Sequence, residues 1–193
     1  MTLLKQVNKM NFEATCSNKH TLASTFRTIC LLGFIGIPFL CNAQNEGGWT
    51  KIFPTVGSFS FQMPSTPQKY DTLNTLFYVS TVNSLAFEVH HTSGAVFNTA
   101  LANPLDLFAQ IAVTYTNGEL ISNSPINVRN GITGREVGIL YTGEMDEQMC
   151  AFSEVVFYNN QLLTLTITAP YTYLSELLNY KDAFFNSLII SLN

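Results

Sequence analysis

Three consecutive runs of strand composition, separated by two turns, occupy residues 132–169 and constrain this chain more than any other feature. The runs are Ile132 to Thr142, Met149 to Tyr158 and Gln161 to Ala169. In the last run Leu163, Leu165 and Ile167 alternate with Thr164, Thr166 and Thr168. Successive side chains of a strand point to opposite faces, so this alternation predicts a strand with one buried face. The middle run is apolar on both sides, with Met149, Ala151, Val155 and Phe157 against Cys150, Phe152, Val156 and Tyr158. That pattern predicts the central strand of a sheet covered on both faces. Asn159-Asn160 tolerates positive φ and makes a tight hairpin turn, whereas Gly143 to Gln148 makes a longer, acidic one. The rest of the chain must pack against this meander.

Upstream, Phe59, Phe61 and Met63 alternate with small polar residues in a first strand that Pro64 and Pro67 end. Thr75 to Val82 and Leu85 to His91 form a hairpin about Asn83-Ser84, with Leu85, Phe87 and Val89 toward the core and Glu88 and His90 outward. Asn103 caps a helix that has Pro104 in its first position and Asp106 in its first turn. Leu105, Phe108, Ile111, Ala112 and Tyr115 make its apolar stripe, and Asn117-Gly118 its left-handed stop. Leu120 to Val128, broken by Pro125, reads as an edge strand that Asn130-Gly131 turns into the meander. After Pro170, Leu174, Leu177, Leu178, Phe184, Phe185 and Leu188 mark a second amphipathic helix, and Ile189 to Leu192 a short last strand. The predicted class is α+β: an antiparallel sheet of about seven strands with two main helices packed on it.

The first 43 residues read as a cleaved secretory signal. Lys5, Lys9, Lys19 and Arg27 precede a charge-free apolar segment from Ile29 to Leu40, and Cys41-Asn42-Ala43 places small residues at a cleavage site. Cleavage between Ala43 and Gln44 leaves a spacer over 44–48 and a single domain over 49–193. The apolar segment falls short of the roughly 20 residues a spanning helix needs, so no permanent membrane span is expected. Lipid attachment at Cys41 is disfavoured because Leu40, not a small residue, precedes it. Translation starting at Met1 or at Met10 fits equally. An exported protein, periplasmic or secreted, is the expectation.

Removing the leader leaves five Lys or Arg against twelve Asp or Glu, a net charge of −7. An acidic, evenly spread surface argues against nucleic acid and anionic lipid, which require clustered basic groups. Three of the four cysteines lie in the leader, so Cys150 has no partner for an intrachain disulfide and the core must hold the fold unaided.

No residue pattern names a reaction. His90 and His91, neighbours in a strand, point to opposite faces and cannot converge on one metal ion. Glu144, Asp146 and Glu147 crowd one turn but lack the alternating ligands and central glycine of a calcium loop. Ser153 has no histidine and acid at recognisable spacing, and no glycine-rich phosphate loop is present. Arg135 shares a strand face with Val137, Ile139 and Tyr141 and reads as an inward, paired arginine of the architecture. No catalytic residue, cofactor or metal is therefore expected.

The region after the leader is similar to the PsbP-like family. Phe59-Ser60-Phe61-Gln62-Met63-Pro64 matches its opening strand, and Gly131-Ile132-Thr133-Gly134-Arg135-Glu136-Val137 resembles its glycine-, arginine- and acid-bearing strand entry. Asn160-Gln161-Leu162-Leu163-Thr164-Leu165 resembles the hairpin that follows, and Phe184-Phe185-Asn186-Ser187-Leu188 its final helix-to-strand step. Members include photosystem extrinsic subunits, small bacterial envelope lipoproteins and a Ran-binding nuclear factor. The resemblance implies an antiparallel sheet with helices on its faces and binding or assembly work, without naming a ligand or a site residue.

Two function classes follow. One is a non-catalytic binding or assembly module of the envelope, with an unknown envelope protein or small ligand as partner. The other is an enzyme with a site built from carboxylates such as Glu88, Glu136 and Glu154, which requires at least two of them to converge in one cleft. The long, apolar connection from Thr92 to Ala102 has two readings: a flap that buries Val96 and Phe97 over one end of the core, which is favoured, or a loop that presents them as candidate partner anchors.

Overall fold

The computed structural model describes residues 48–72, 74–94, 103–128 and 131–191. The leader, the Ala43/Gln44 cleavage site and the candidate anchors Val96 and Phe97 lie outside the described residues. Strands β3 (Gln68–Thr72), β4 (Thr75–Val82), β5 (Leu85–Ser93), β6 (Glu119–Val128), β7 (Ile132–Thr142), β8 (Gln148–Tyr158) and β9 (Gln161–Pro170) form one sheet in the order β3-β4-β5-β9-β8-β7-β6. Every neighbouring pair is antiparallel. A second sheet of three strands joins β1 (Thr50–Ile52), β2 (Phe59–Met63) and β10 (Ile189–Ile190) in the order β1-β2-β10. Helices α1 (Pro104–Thr116) and α2 (Leu174–Phe185) complete the α+β fold.

Local chemistry accounts for the boundaries. Asn159 and Asn160 both take positive φ (46° and 58°), which gives the β8–β9 turn the backbone twist of its flanking strands. The Asn103 side chain accepts from the Leu105 N–H at 3.0 Å at the start of α1, and Asn117 at φ 49° stops it.

The large sheet has two covered faces. On one, Phe87 and Val89 of β5, Leu163, Leu165 and Ile167 of β9, and Phe152 and Val156 of β8 pack under the small sheet and α2, meeting Phe59, Phe61, Leu177 and Phe184. On the other, Leu105, Phe108, Ala109 and Ala112 of α1 lie on Val137, Ile139, Val155 and Leu162. Each Val, Leu, Ile or Phe among them, fully buried, contributes roughly 1.5–3 kcal/mol of transfer free energy, and each Ala less.

This double cover changes several expectations. The opening strand Phe59–Met63 belongs to the small sheet, and the seventh strand of the large sheet is β3, whose residues are all exposed and carry no apolar alternation. The middle of the seven is β9, with β8 next to it inside the sheet, and both faces are covered there. Hence Thr164, Thr166 and Thr168 are buried, where the alternation predicted a solvent face. Glu88 and His90 are likewise buried, in contact through Oε2 and Nε2 at 3.0 Å, and do not face outward. Along α1 the buried stripe runs through Ala109, whereas Tyr115 is exposed.

Candidate functional site

The sequence candidates separate into two layers of the molecule. His91 lies on the α2 face, 4.8 Å from the Phe59 ring and 3.0 Å from Gln161, and burial pushes its pKa down against the rise from that hydrogen bond. His90 lies on the α1 face with Glu88 and against the Phe77 ring at 4.7 Å. The two histidines diverge as the strand geometry requires. Ser153 hydrogen-bonds the Thr166 hydroxyl at 2.8 Å. Arg135 shares the α1 face with Val137, Ile139 and Tyr141, pairs with Asp106 of α1 and donates to Asn123 at 2.9 Å, which ties the helix to the sheet. Glu144, Asp146 and Glu147 sit on an exposed turn. Among the described residues, no three His, Cys, Asp or Glu side chains are grouped to hold a metal ion.

Of the three carboxylates, Glu136 and Glu154 converge. The β7–β8 register sets them directly opposite each other on the α2 face, while Glu88 is on the other face. Like charges directly opposite in an antiparallel pair repel. Lys181 of α2 donates to Glu136 Oε2 at 2.8 Å, with Asp182 Oδ1 at 3.5 Å. Its ammonium also lies 5.6 Å from the Phe152 ring centre and 5.7 Å from that of Phe185, where the negative faces of the rings attract it.

Glu154 has no such partner. Its residue is 8% exposed, and among the described residues nothing donates a hydrogen bond to it. Burial pushes its carboxyl up to about 7, the Glu136 charge adds to that, and Lys181 opposes it. Both carboxyls line a cavity of 330 Å³ whose remaining walls are Ile126, Asn127 and Val128 of β6 and, from the end of α2 onward, Asp182, Phe185, Asn186 and Leu188.

The sequence named Glu136 and Glu154 but not the cleft they share. Lys181 and Asp182 carried a weak signal, being positions beside the apolar stripe to which Phe185 belongs. Which strand residues they lie over depends on how α2 docks.

No protein-family model matches the sequence, and no curated protein matches it. Among solved structures, cyanobacterial PsbP (CyanoP) from Synechocystis is 13% identical, with a TM-score of 0.54 over 79% of this chain and 99% of that one. The chain has the PsbP-like fold. Mog1 is 9% identical with a TM-score of 0.49 over 75% of this chain and 96% of that one. LpqN of Mycobacterium tuberculosis, titled as involved in cell envelope biogenesis, is 11% identical with a TM-score of 0.43 over 77% and 87%. In the PsbP-like fold of this chain, the cleft lies where the last turn of α2 crosses the β6–β7–β8 side of the sheet. No described helix is long and apolar enough to cross a membrane.

Proposed function

We propose that this protein is a non-catalytic binding module, exported to the periplasm or beyond, that holds a small ligand in the cleft between the last turn of α2 and strands β6–β8. The observation that carries this reading is Glu154, a residue 8% exposed on the cleft wall whose carboxyl receives no hydrogen bond from a described side chain. A buried polar group without a partner costs free energy, and a ligand that donates to it recovers that cost. The cleft sets apolar side chains beside convergent polar groups, and its lining is more polar than apolar, which suits a polar ligand. Export rests on the sequence of the leader.

The second reading, a carboxylate-based enzyme, is favoured by one observation: the Glu154 carboxyl is pushed up to about 7, a poise suited to acid–base work. Against it, Lys181 holds Glu136, leaving one carboxyl to act alone.

Ligand-observed NMR with mixtures of small metabolites, followed by assignment of shifted amides, tests the proposal. Binders that shift Val128, Glu154 and Phe185 and are recovered unchanged support it. Recovery of a chemically altered binder would replace it with the enzymatic reading, and shifts confined to other surfaces would remove the cleft.

A further inference from the structure

We infer that the cleft takes a small organic ammonium ion with an apolar stem, its N–H groups donating to Glu154 and its stem lying against Val128, Phe185 and Leu188. This rests on the reading of the cleft as a ligand site and adds the chemical class of the ligand.

Four observations point to that class. First, Glu154 is more than nine-tenths buried, faces the cavity and receives no hydrogen bond among the described residues. A buried carboxylate is tolerated when a partner brings both donors and positive charge. Second, the protein already stabilises one ammonium beside it: Lys181 Nζ sits on Glu136 and near two aromatic rings. Lys181 is committed to Glu136 and Asp182, so the same surroundings offer Glu154 to a second ammonium. Third, among the described residues the charged groups lining the cavity are Glu136, Glu154 and Asp182, with Lys181 on Glu136 beside it, and the last turn of α2 has no basic residue to offset its carbonyl end. Both features favour a cation and repel an anion. Fourth, Ile126, Val128, Phe185 and Leu188 line the smaller, apolar part of the cavity, a contact that a bare metal ion cannot use and a short alkyl stem can. The absence of any three-ligand metal grouping among the described residues agrees with an organic cation. A cavity of 330 Å³ is at the small end of ligand sites, of order 300–1,000 Å³, and sets the ligand's size.

Among the described residues, the ionisable groups around Glu154 are Glu136 from β7 and Lys181 and Asp182 from α2; β6 presents Ile126, Asn127 and Val128, and β9 presents Leu165. Glu154 is the member of this set whose carboxyl is pushed up to about 7. Affinity for an ammonium ion therefore rises with pH across neutrality.

The test is an amide NMR titration of the purified chain with n-pentylammonium, with 1-pentanol as the neutral probe of similar shape. The expected result is saturable shifts at Val128, Glu154, Phe185 and Leu188, with affinity falling about tenfold or more in Glu154→Gln and between pH 8.5 and pH 5.5. The pH comparison on the unaltered chain stands whether or not the variant folds. Equal binding at both pH values, or by the folded variant, overturns the inference. If 1-pentanol binds in the cleft as tightly as n-pentylammonium, the cleft remains a ligand site and the ammonium class is wrong. If neither probe shifts cleft amides, or shifts appear only on the Glu144–Glu147 turn, the ligand site and its class both fail.

Discussion

Replacing Glu154 with Gln keeps the size and planarity of the side chain and removes its titration, which makes it a direct measure of what the buried carboxyl costs. The folded-state value is about 7 against an ordinary value of 4.5. Between those values the folded chain holds a proton that the unfolded chain has released, so stability falls as pH rises through that window. At 1.36 kcal/mol per pH unit, the full difference above pH 7 is about 3 kcal/mol. Water reaching the cleft reduces it, so Glu154→Gln should be more stable than the parent by roughly 2–3 kcal/mol at pH 8 and about equal to it at pH 4.5. For a domain of this size that is a melting-temperature gap of about 4–12 °C, closing toward acid. Thermal melts of both proteins at half-unit steps from pH 4.5 to 8.5 measure the gap. Superposable profiles would refute the reasoning, because Glu154 would then titrate as an ordinary solvated acid. A variant less stable than the parent at pH 8 would also refute it, by showing that native hydrogen bonds hold the carboxylate.

Three further outcomes follow from the packing. Phe87 lies edge-on to Phe184 at 5.3 Å, to Tyr180 at 5.7 Å and to Trp49 at 6.3 Å, so Phe87→Ala should lower unfolding free energy by about 3–5 kcal/mol in denaturant titration. A Cβ at Gly134 would stand 2.7 Å from the Val155 carbonyl oxygen, which is backbone in the adjacent strand and cannot swing aside; Gly134→Ala should cost about 1–3 kcal/mol by the same assay. Cys150 is fully buried and its thiol is pushed up to about 11 by burial, so iodoacetamide at pH 8 should leave the native protein unmodified by intact mass and label it after denaturation; labelling of the native protein would contradict the buried placement.

Much of the fold was legible because its signals are local. The Asn103 cap, the Asn117 stop and the Asn159-Asn160 turn act over three or four residues, and each stands where the sequence put it. The β7–β8–β9 meander joins neighbours in sequence, so its pairing follows from its own two turns. The strand β3 escaped notice because its Gln68, Lys69, Tyr70, Asp71 and Thr72 sit on an exposed edge and need no apolar face to pair with β4. The threonines of β9 misled for the opposite reason. A threonine ladder reads as a wet face, yet this face packs beside α1, where Ser153 and Thr166 satisfy each other and the Thr164 hydroxyl is buried without a partner among the described residues.

The site shows the same division more sharply. The residue types alone determined that Glu136 and Glu154 lie on strands, that a helix carrying Lys181 follows, and that His90 and His91 cannot meet, since these depend on periods of two and 3.6 residues. Only the tertiary structure decided that the two glutamates oppose each other. A slip of one residue in the β7–β8 register would have sent one of them to the α1 face. It also decided that α2 crosses where Lys181 reaches Glu136 and leaves Glu154 facing a cavity. Such placements are set by the sum of many weak contacts across the core between residues far apart in the chain, and no local pattern of residues encodes that sum.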